Sequence, residues 1–391
     1  MNNEYTKIIN ELSSLTLENI HRKNQCDKPF YPLDLLSYLT LTNIRFLEYD
    51  NHEKYIIFKN EFYTSLNKLR VDVDNISLWN GITTVLFVIE TILENDKIGE
   101  MTKDLKVVFN QLYGTFGDSL EVYLKRKNFV FQDLDIVSGV SGVISYLVQS
   151  KYNLSTNKKV LQQLLELIVE LSCATSDSES SPISNMNNSF IGFSHGEIGL
   201  YTMAYKASRL LNDIDSEKKM ISMIISILGK RFNNNLLKNF DINALNNSWC
   251  HGYAGLIKSY RIIRNSSFVS PKIRSLYDNF VDIYVNNMIH LSKDNFYGSS
   301  IICHGLSGLI YEVSLIDYVS YPEEIINYLM RMLMEMYKPD TYVKFTDHYL
   351  ALEYNRGEIP TDIINGFEGV LLVINSVINK KPYIGDLIFG G

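Results

Sequence analysis

Ile302-Cys303-His304-Gly305-Leu306-Ser307-Gly308 runs on into Leu309-Ile310-Tyr311-Glu312-Val313, so a thiol–imidazole pair is followed by a glycine pair and then by an apolar stretch of helical character. The same order occurs at Trp249-Cys250-His251-Gly252, with Gly255 three positions on. Only four cysteines and seven histidines occur in 391 residues, yet two cysteines each stand beside a histidine and just before a glycine. Thiolate and imidazole are the preferred ligands of zinc. The two cysteines are 53 residues apart (303 minus 250), far wider than zinc-finger spacing. That separation points to a metal held between distant elements of a large fold, the usual arrangement of a catalytic site.

Outward from these strings, glycine is the periodic element. Gly81, Gly139, Gly196, Gly252, Gly305 and Gly366 follow one another at 58, 57, 56, 53 and 61 residues. Five have a second glycine three positions on (Gly142, Gly199, Gly255, Gly308 and Gly369), and the first has Thr84 there. Each pair precedes an apolar stretch such as Val143-Ile144-Ser145-Tyr146-Leu147. The intervening segments, such as 159–171 and 323–336, show apolar residues at i, i+3 and i+4. A period of about 55 residues accommodates two helices and their loops. Such repeats either stack openly or close into a ring whose inner helices aim their glycine-bearing ends at a central cavity. The segment 33–48 is a candidate for one further pair, about seven in all. Two stretches break the helical pattern: 176–188, rich in Ser and Asn, reads as a loop, and 342–354 reads as strand or extended loop. Neither demands a separate domain, so residues 1–391 are expected to form one.

With 46% hydrophobic and 21% charged residues, the chain can bury a substantial core. A net charge of −7 without a long Lys/Arg run argues against nucleic acid as a partner. The N-terminus has no basic segment followed by an apolar run, and no stretch of about 18 apolar residues marks a membrane span. Four scattered cysteines do not make a disulfide framework, so a cytoplasmic location with reduced thiols is expected. Cys26 and Cys173 lie outside the repeat positions and read as ordinary residues.

Cys303 and His304 diverge by about 100° on a regular helix, so both reach one metal only from a loop just before a helix starts. Cys250 occupies the equivalent place one repeat earlier. Cys250, Cys303 and His304 together make a three-ligand zinc site with one open position, the catalytic form; a structural zinc and buried free thiols are the alternatives. His251 is the competing ligand. As a fourth donor it would close the site, and otherwise it handles protons beside the metal. His195, in Gly192-Phe193-Ser194-His195-Gly196, is a candidate acid/base one repeat earlier, or else a capping or core histidine. Asp135, before Gly139, either orients a histidine and shifts its pKa or simply caps a helix.

Taken in order, Gly192 to Gly199 as G-x-x-H-G-x-x-G, Trp249 to Gly252 as W-C-x-G and Cys303 to Gly305 as C-H-G resemble the lanthionine synthetase C-like family, over nearly the whole chain. The resemblance implies an all-α fold, an α/α toroid with a double ring of about seven inner and seven outer helices and minor extended segments. It also implies zinc on Cys250, Cys303 and His304, a cavity histidine at His195 and a cavity aspartate at Asp135. Three positions depart from the pattern. Asn246 stands where an arginine is typical, His251 where a tyrosine is frequent, and Asn365 where a glutamate often precedes the glycine.

The implied activity is intramolecular thioether formation. A cysteine thiol of a precursor peptide with a leader adds to dehydroalanine or dehydrobutyrine made by a separate dehydratase. His195 or His251 then protonates the resulting enolate. A dehydratase and an ABC transporter are the implied partners, and they would hold the protein at the inner face of the membrane. The competing readings are a prenyltransferase-like toroidal zinc enzyme, which uses an aspartate ligand, and a zinc-containing peptide-binding scaffold without turnover.

Overall fold

Every one of the six periodic glycines is the N-cap of a helix, in extended backbone with φ between −133° at Gly252 and −90° at Gly196. The computed structural model describes residues 2–26, 28–43, 52–94, 101–126, 128–174, 191–232, 240–296, 299–319, 322–338, 345, 363–364 and 366–380. The capped helices are α4 (Ile82–Leu93), α6 (Val140–Gln149), α8 (Glu197–Leu211), α10 (Tyr253–Ile263), α12 (Leu306–Ser314) and α14 (Phe367–Asn379). They are apolar on nearly all sides: in α12 every residue from Leu306 to Val313 is buried. A helix apolar all round needs neighbours all round. The other eight described helices include longer, amphipathic ones. In α5 (Thr102–Leu124) the buried residues are Leu105, Phe109, Tyr113, Phe116, Leu120 and Tyr123, a single stripe.

The seventh inner helix is α2 (Pro32–Asn43), which falls in the segment expected to supply one further pair. Proline opens it instead of glycine, a residue suited to the first helical position. The outer helices are α1 (Asn2–Gln25), α3 (His52–Lys68), α5, α7 (Leu154–Ala174), α9 (Ile214–Arg231), α11 (Pro271–Asn286) and α13 (Pro322–Glu335). Around the inside, α2 packs on α4, α4 on α6, α6 on α8, α8 on α10, α10 on α12, α12 on α14 and α14 back on α2. The repeats therefore close into an α/α toroid of seven inner and seven outer helices among the described residues. Ser37 Oγ donates to Glu368 Oε1 at 2.9 Å across the closing α14–α2 junction. Tyr146 OH donates to Glu90 Oε2 at 2.8 Å across α4–α6.

The second glycine of each pair lets the preceding loop fold onto the first turn of its helix. A Cβ at Gly199 would lie 1.9 Å from Phe193 O, and one at Gly308 would lie 2.1 Å from Ile302 O. Thr84, the exception, meets the same need with its hydroxyl, which donates to Leu78 O at 2.6 Å. The folded-back loops are also tied to one another around the ring. Ile136 N donates to Ser194 O, Phe193 N to Trp249 O, Cys250 N to Cys303 O and Cys303 N to Ile364 O, at 3.1–3.3 Å.

Among the described residues there is no strand, only two isolated bridges, Phe30 with Leu69 and Tyr337 with Phe345. Phe345 is the one described residue of the expected extended segment 342–354, and the expected loop 176–188 lies outside the described residues. No described helix is long and apolar enough to cross a membrane.

Candidate metal centre

The chain-linked loops before α10 and α12 bring three donors together. Sulfur atoms of Cys250 and Cys303 and one ring nitrogen of His304 all lie within 4.8 Å of one another. The adjacent pair Cys303-His304 converges because it sits in the turn ahead of the Gly305 cap and not inside α12. Cys250 is buried, whereas Cys303 and His304 are half-buried, so the set has an inner and an open side. The two thiols lie in hydrogen-bonding contact. The bond from Cys250 holds Cys303 down, to about 6, with help from His304 and His195 and against its burial. Burial pushes Cys250 well up. Two soft sulfurs, one imidazole and an open side fit a borderline-soft divalent ion with one free coordination position.

The neighbouring loops, before α6 and α8, add a second constellation. His195 Nδ1 lies 2.8 Å from Asp135 Oδ2. The other oxygen of the same carboxylate accepts from Ser138 N at 2.6 Å and Gly139 N at 3.2 Å. Asp135 thus ties down the turn ahead of α6 with one oxygen and His195 with the other; its backbone partners precede the helix, which has no side-chain cap. Burial pulls the His195 pKa down, but the bond and charge of Asp135, with the Cys303 charge, outweigh it and the net shift is upward.

His251 lies outside the converging donors. Its ring stacks on His195 with centroids 5.1 Å apart and planes at 22°. Burial and the charges of His195 and His304 push its pKa down to about 4. His251 is therefore neutral near pH 7, while His195 is the imidazole biased toward its protonated form.

His251 and His304 form one wall of a cavity of about 650 Å³, completed by Asn243, Ala244, Leu245, Asn246, Ser248, Asp294 and Asn295. Asp294 and Asn295 escape sequence reasoning because they belong to a short 3-10 turn at no repeat position. Asn246 has a local task. Its Oδ1 accepts from Ser248 N at 3.0 Å, and its carbonyl accepts from Tyr253 N at 2.8 Å. Asn75 does the same in the loop that ends at Gly81, toward Ser77 N and Ile82 N. The pair Asn75 and Asn246 was detectable by aligning the repeats on their glycines, since each stands six residues before one. Asn365 lies outside the described residues. Cys26 and Cys173 are exposed, in no disulfide and away from the site, and Cys173 Sγ accepts from Lys219 Nζ at 2.9 Å. A further cavity, of about 420 Å³, opens between α12, α13 and α14 and contains neither cysteine nor histidine.

A solved structure of nisin cyclase shares this fold, with a TM-score of 0.58 at 18% identity over 99% of this chain and 97% of that one. The nisin biosynthesis protein NisC of Lactococcus lactis subsp. lactis is 25% identical over 362 residues, 83% of this chain and 78% of that protein. The family model for lanthionine synthetase C-like proteins matches residues 46–382. The chain belongs to the lanthionine synthetase C-like family.

Proposed function

We propose that this protein is a lanthionine cyclase that holds zinc on Cys250, Cys303 and His304. It adds cysteine thiols of a precursor peptide to dehydroalanine and dehydrobutyrine residues of the same peptide, closing lanthionine and methyllanthionine rings. The observation that carries this reading is the meeting of three metal donors, one of them His304 on a cavity wall, with a hydrogen-bonded His195–Asp135 pair in the neighbouring loops. Family membership supports it, as does the similarity to a protein of nisin biosynthesis.

When bound, zinc supplies an open position that favours the thiolate form of a substrate cysteine. The residues of the chain do the rest. The reaction adds S–H across a carbon–carbon double bond: a C–S bond forms at the β-carbon, the π electrons move to the α-carbon and its carbonyl, and a proton closes the sequence at the α-carbon. His195 delivers that proton. Asp135 holds Nδ1, which leaves Nε2 as the donor and stabilises the imidazolium. His251, neutral and stacked on His195, fixes the plane of that ring and borders the peptide cavity. A negative charge developing on the peptide carbonyl also meets the N-termini of the inner helices. The substrate must arrive dehydrated, so a dehydratase precedes this step. A complex with it and with a transporter would bring this chain to the inner face of the membrane.

The test is direct. Purified protein, a dehydrated precursor and zinc are incubated, and remaining peptide thiols are alkylated and counted by mass spectrometry. Ring closure removes alkylatable cysteines at constant peptide mass. Cys303→Ala should lose both the metal and the ring closure. Unchanged alkylation with metal-loaded wild-type protein would leave a binding scaffold instead.

A further inference from the structure

Below the metal-binding loops lies a buried charge that the chemistry above does not use. Lys258 is on α10, five residues into the helix whose start follows Cys250, and it is fully buried. Its Nζ lies 2.9 Å from Glu312 Oε1, and Glu312 is 1% exposed. Glu312 is on α12, six residues after its start, behind Cys303 and His304. The same ammonium lies 5.0 Å from the centroid of the Phe193 ring. Phe193 belongs to the loop of His195, and its ring packs at 5.9 Å on that of Trp249, the neighbour of Cys250.

One cation thus ties α10 and α12, the helices that follow the two ligand loops, to each other and to the loop of His195. At the α14–α2 and α4–α6 junctions the inner-ring carboxylates Glu368 and Glu90 receive hydroxyl donors, from Ser37 and Tyr146. At α10–α12, the junction between the helices behind all three metal donors, the carboxylate is met by an ammonium. A buried ion pair contributes little net stability over a well-packed apolar pair, because desolvating both charges offsets their attraction. What it adds is geometry. The helices cannot slide or rotate against each other without leaving a charge unpaired, and Arg261, at 3.5 Å from Glu312 Oε2, is a weaker substitute.

We infer that Lys258 is a positioning residue for the metal site, its ammonium setting the mutual spacing of the Cys250, Cys303–His304 and His195 loops through Glu312 and the Phe193 ring. The inference rests on the reading of Cys250, Cys303 and His304 as metal ligands. The site lies about two helical turns from the pair, at 1.5 Å rise per residue, so the effect is transmitted through rigid helix starts.

The experiment compares wild type, Lys258→Met, Glu312→Gln and the double variant Lys258→Met/Glu312→Leu. It reads the zinc dissociation constant by chelator competition, the thiolate-to-metal charge-transfer spectrum of the cobalt(II)-loaded protein, and Tm of the metal-free protein. Groups that orient metal ligands typically affect affinity by about 10-fold to 100-fold, and Lys258→Met is expected in that range with an altered cobalt spectrum. The double variant removes both charges, so it should recover Tm but not zinc affinity or the parent spectrum. A double variant with parental Tm, zinc affinity and spectrum would overturn the inference and leave the pair a packing element. Should the Lys258 variants fail to fold, Glu312→Gln decides: it is expected to weaken zinc binding, and parental affinity there overturns the proposal. If wild type itself binds no zinc, the metal reading fails, a result distinct from either outcome for the pair.

Discussion

Gly199→Ala tests how tightly the ring loops are built. The added Cβ would stand 1.9 Å from Phe193 O, where real contacts do not fall below 3.0 Å, so the carbonyl must retreat by at least 1.1 Å (3.0 minus 1.9). That carbonyl is backbone, two residues before His195, and its loop is held on both sides. Phe193 N donates to Trp249 O at 3.2 Å and Ser194 O accepts from Ile136 N at 3.1 Å. Overpacking of this kind costs about 1–3 kcal/mol, and each weakened hydrogen bond adds about 1 kcal/mol. Replacing glycine by alanine inside a helix returns about 1 kcal/mol. The net expectation is a loss of about 1–4 kcal/mol. A shift of roughly 1 Å in the His195 loop should also slow ring closure by on the order of 100-fold. The same substitution at Gly117 in α5 is the control: a Cβ there meets nothing within 4 Å, so Gly117→Ala should gain about 0.5–1 kcal/mol and leave the rate alone. Because Tm moves by only about 1 °C per kcal/mol in a chain of this length, urea unfolding of the metal-free protein is the better stability measurement. Ring closure is followed in single turnover. If Gly199→Ala matches Gly117→Ala in midpoint and rate, the loops have slack and the tight-ring argument fails.

The remaining predictions concern the two histidines. His195→Ala should keep its zinc and its fold but close rings about 100-fold to 10,000-fold more slowly; a normal rate would move the proton donor elsewhere. The groups facing His195 are Asp135, His251 and Cys303, and its pKa is raised, so the imidazolium donor and the stability of its pair are full below the ordinary imidazole value and are lost as pH rises through the raised one. Asp135→Asn removes the main raising cause, so the high-pH limb of the rate profile should shift to lower pH; an unmoved limb would assign that titration to another group. His251→Phe should retain stoichiometric zinc by elemental analysis while slowing closure or loosening its stereochemistry, whereas metal loss with an intact circular-dichroism spectrum would make His251 a fourth ligand.

The ring was legible in the sequence because its geometry constrains the same two positions in each repeat. The cap glycine and the glycine three residues later are both imposed by a loop that folds back on its helix, and that demand recurs at each step of the circle. Where the demand is met by other chemistry the signal fades. Thr84 satisfies it through a hydroxyl, and α2 opens with proline, so its register is not marked by glycine at all. The donors were legible for the same reason: Cys250 and Cys303 occupy one loop position in consecutive repeats, and His304 occupies the next. Asp135 carried two readings in sequence: the bond to His195 is present, whereas its second oxygen binds the turn before α6 and not the first amides of the helix.

Contacts between helices are another matter. Lys258 and Glu312 are 54 positions apart, close to one repeat, yet nothing in the spacing says that both charges face inward and toward each other. A charged residue in an apolar helix reads as a snorkelling or exposed group until its neighbour is known. The cavity wall at Asp294 and Asn295 was hidden more completely, since that 3-10 turn belongs to the variable connection and not to the repeated loop. The division follows from the architecture. A circular repeat writes its chemistry at fixed loop positions, which composition and spacing expose. Its tuning lies in junctions and connections that differ from one step to the next, and there only the packed structure says which residues meet.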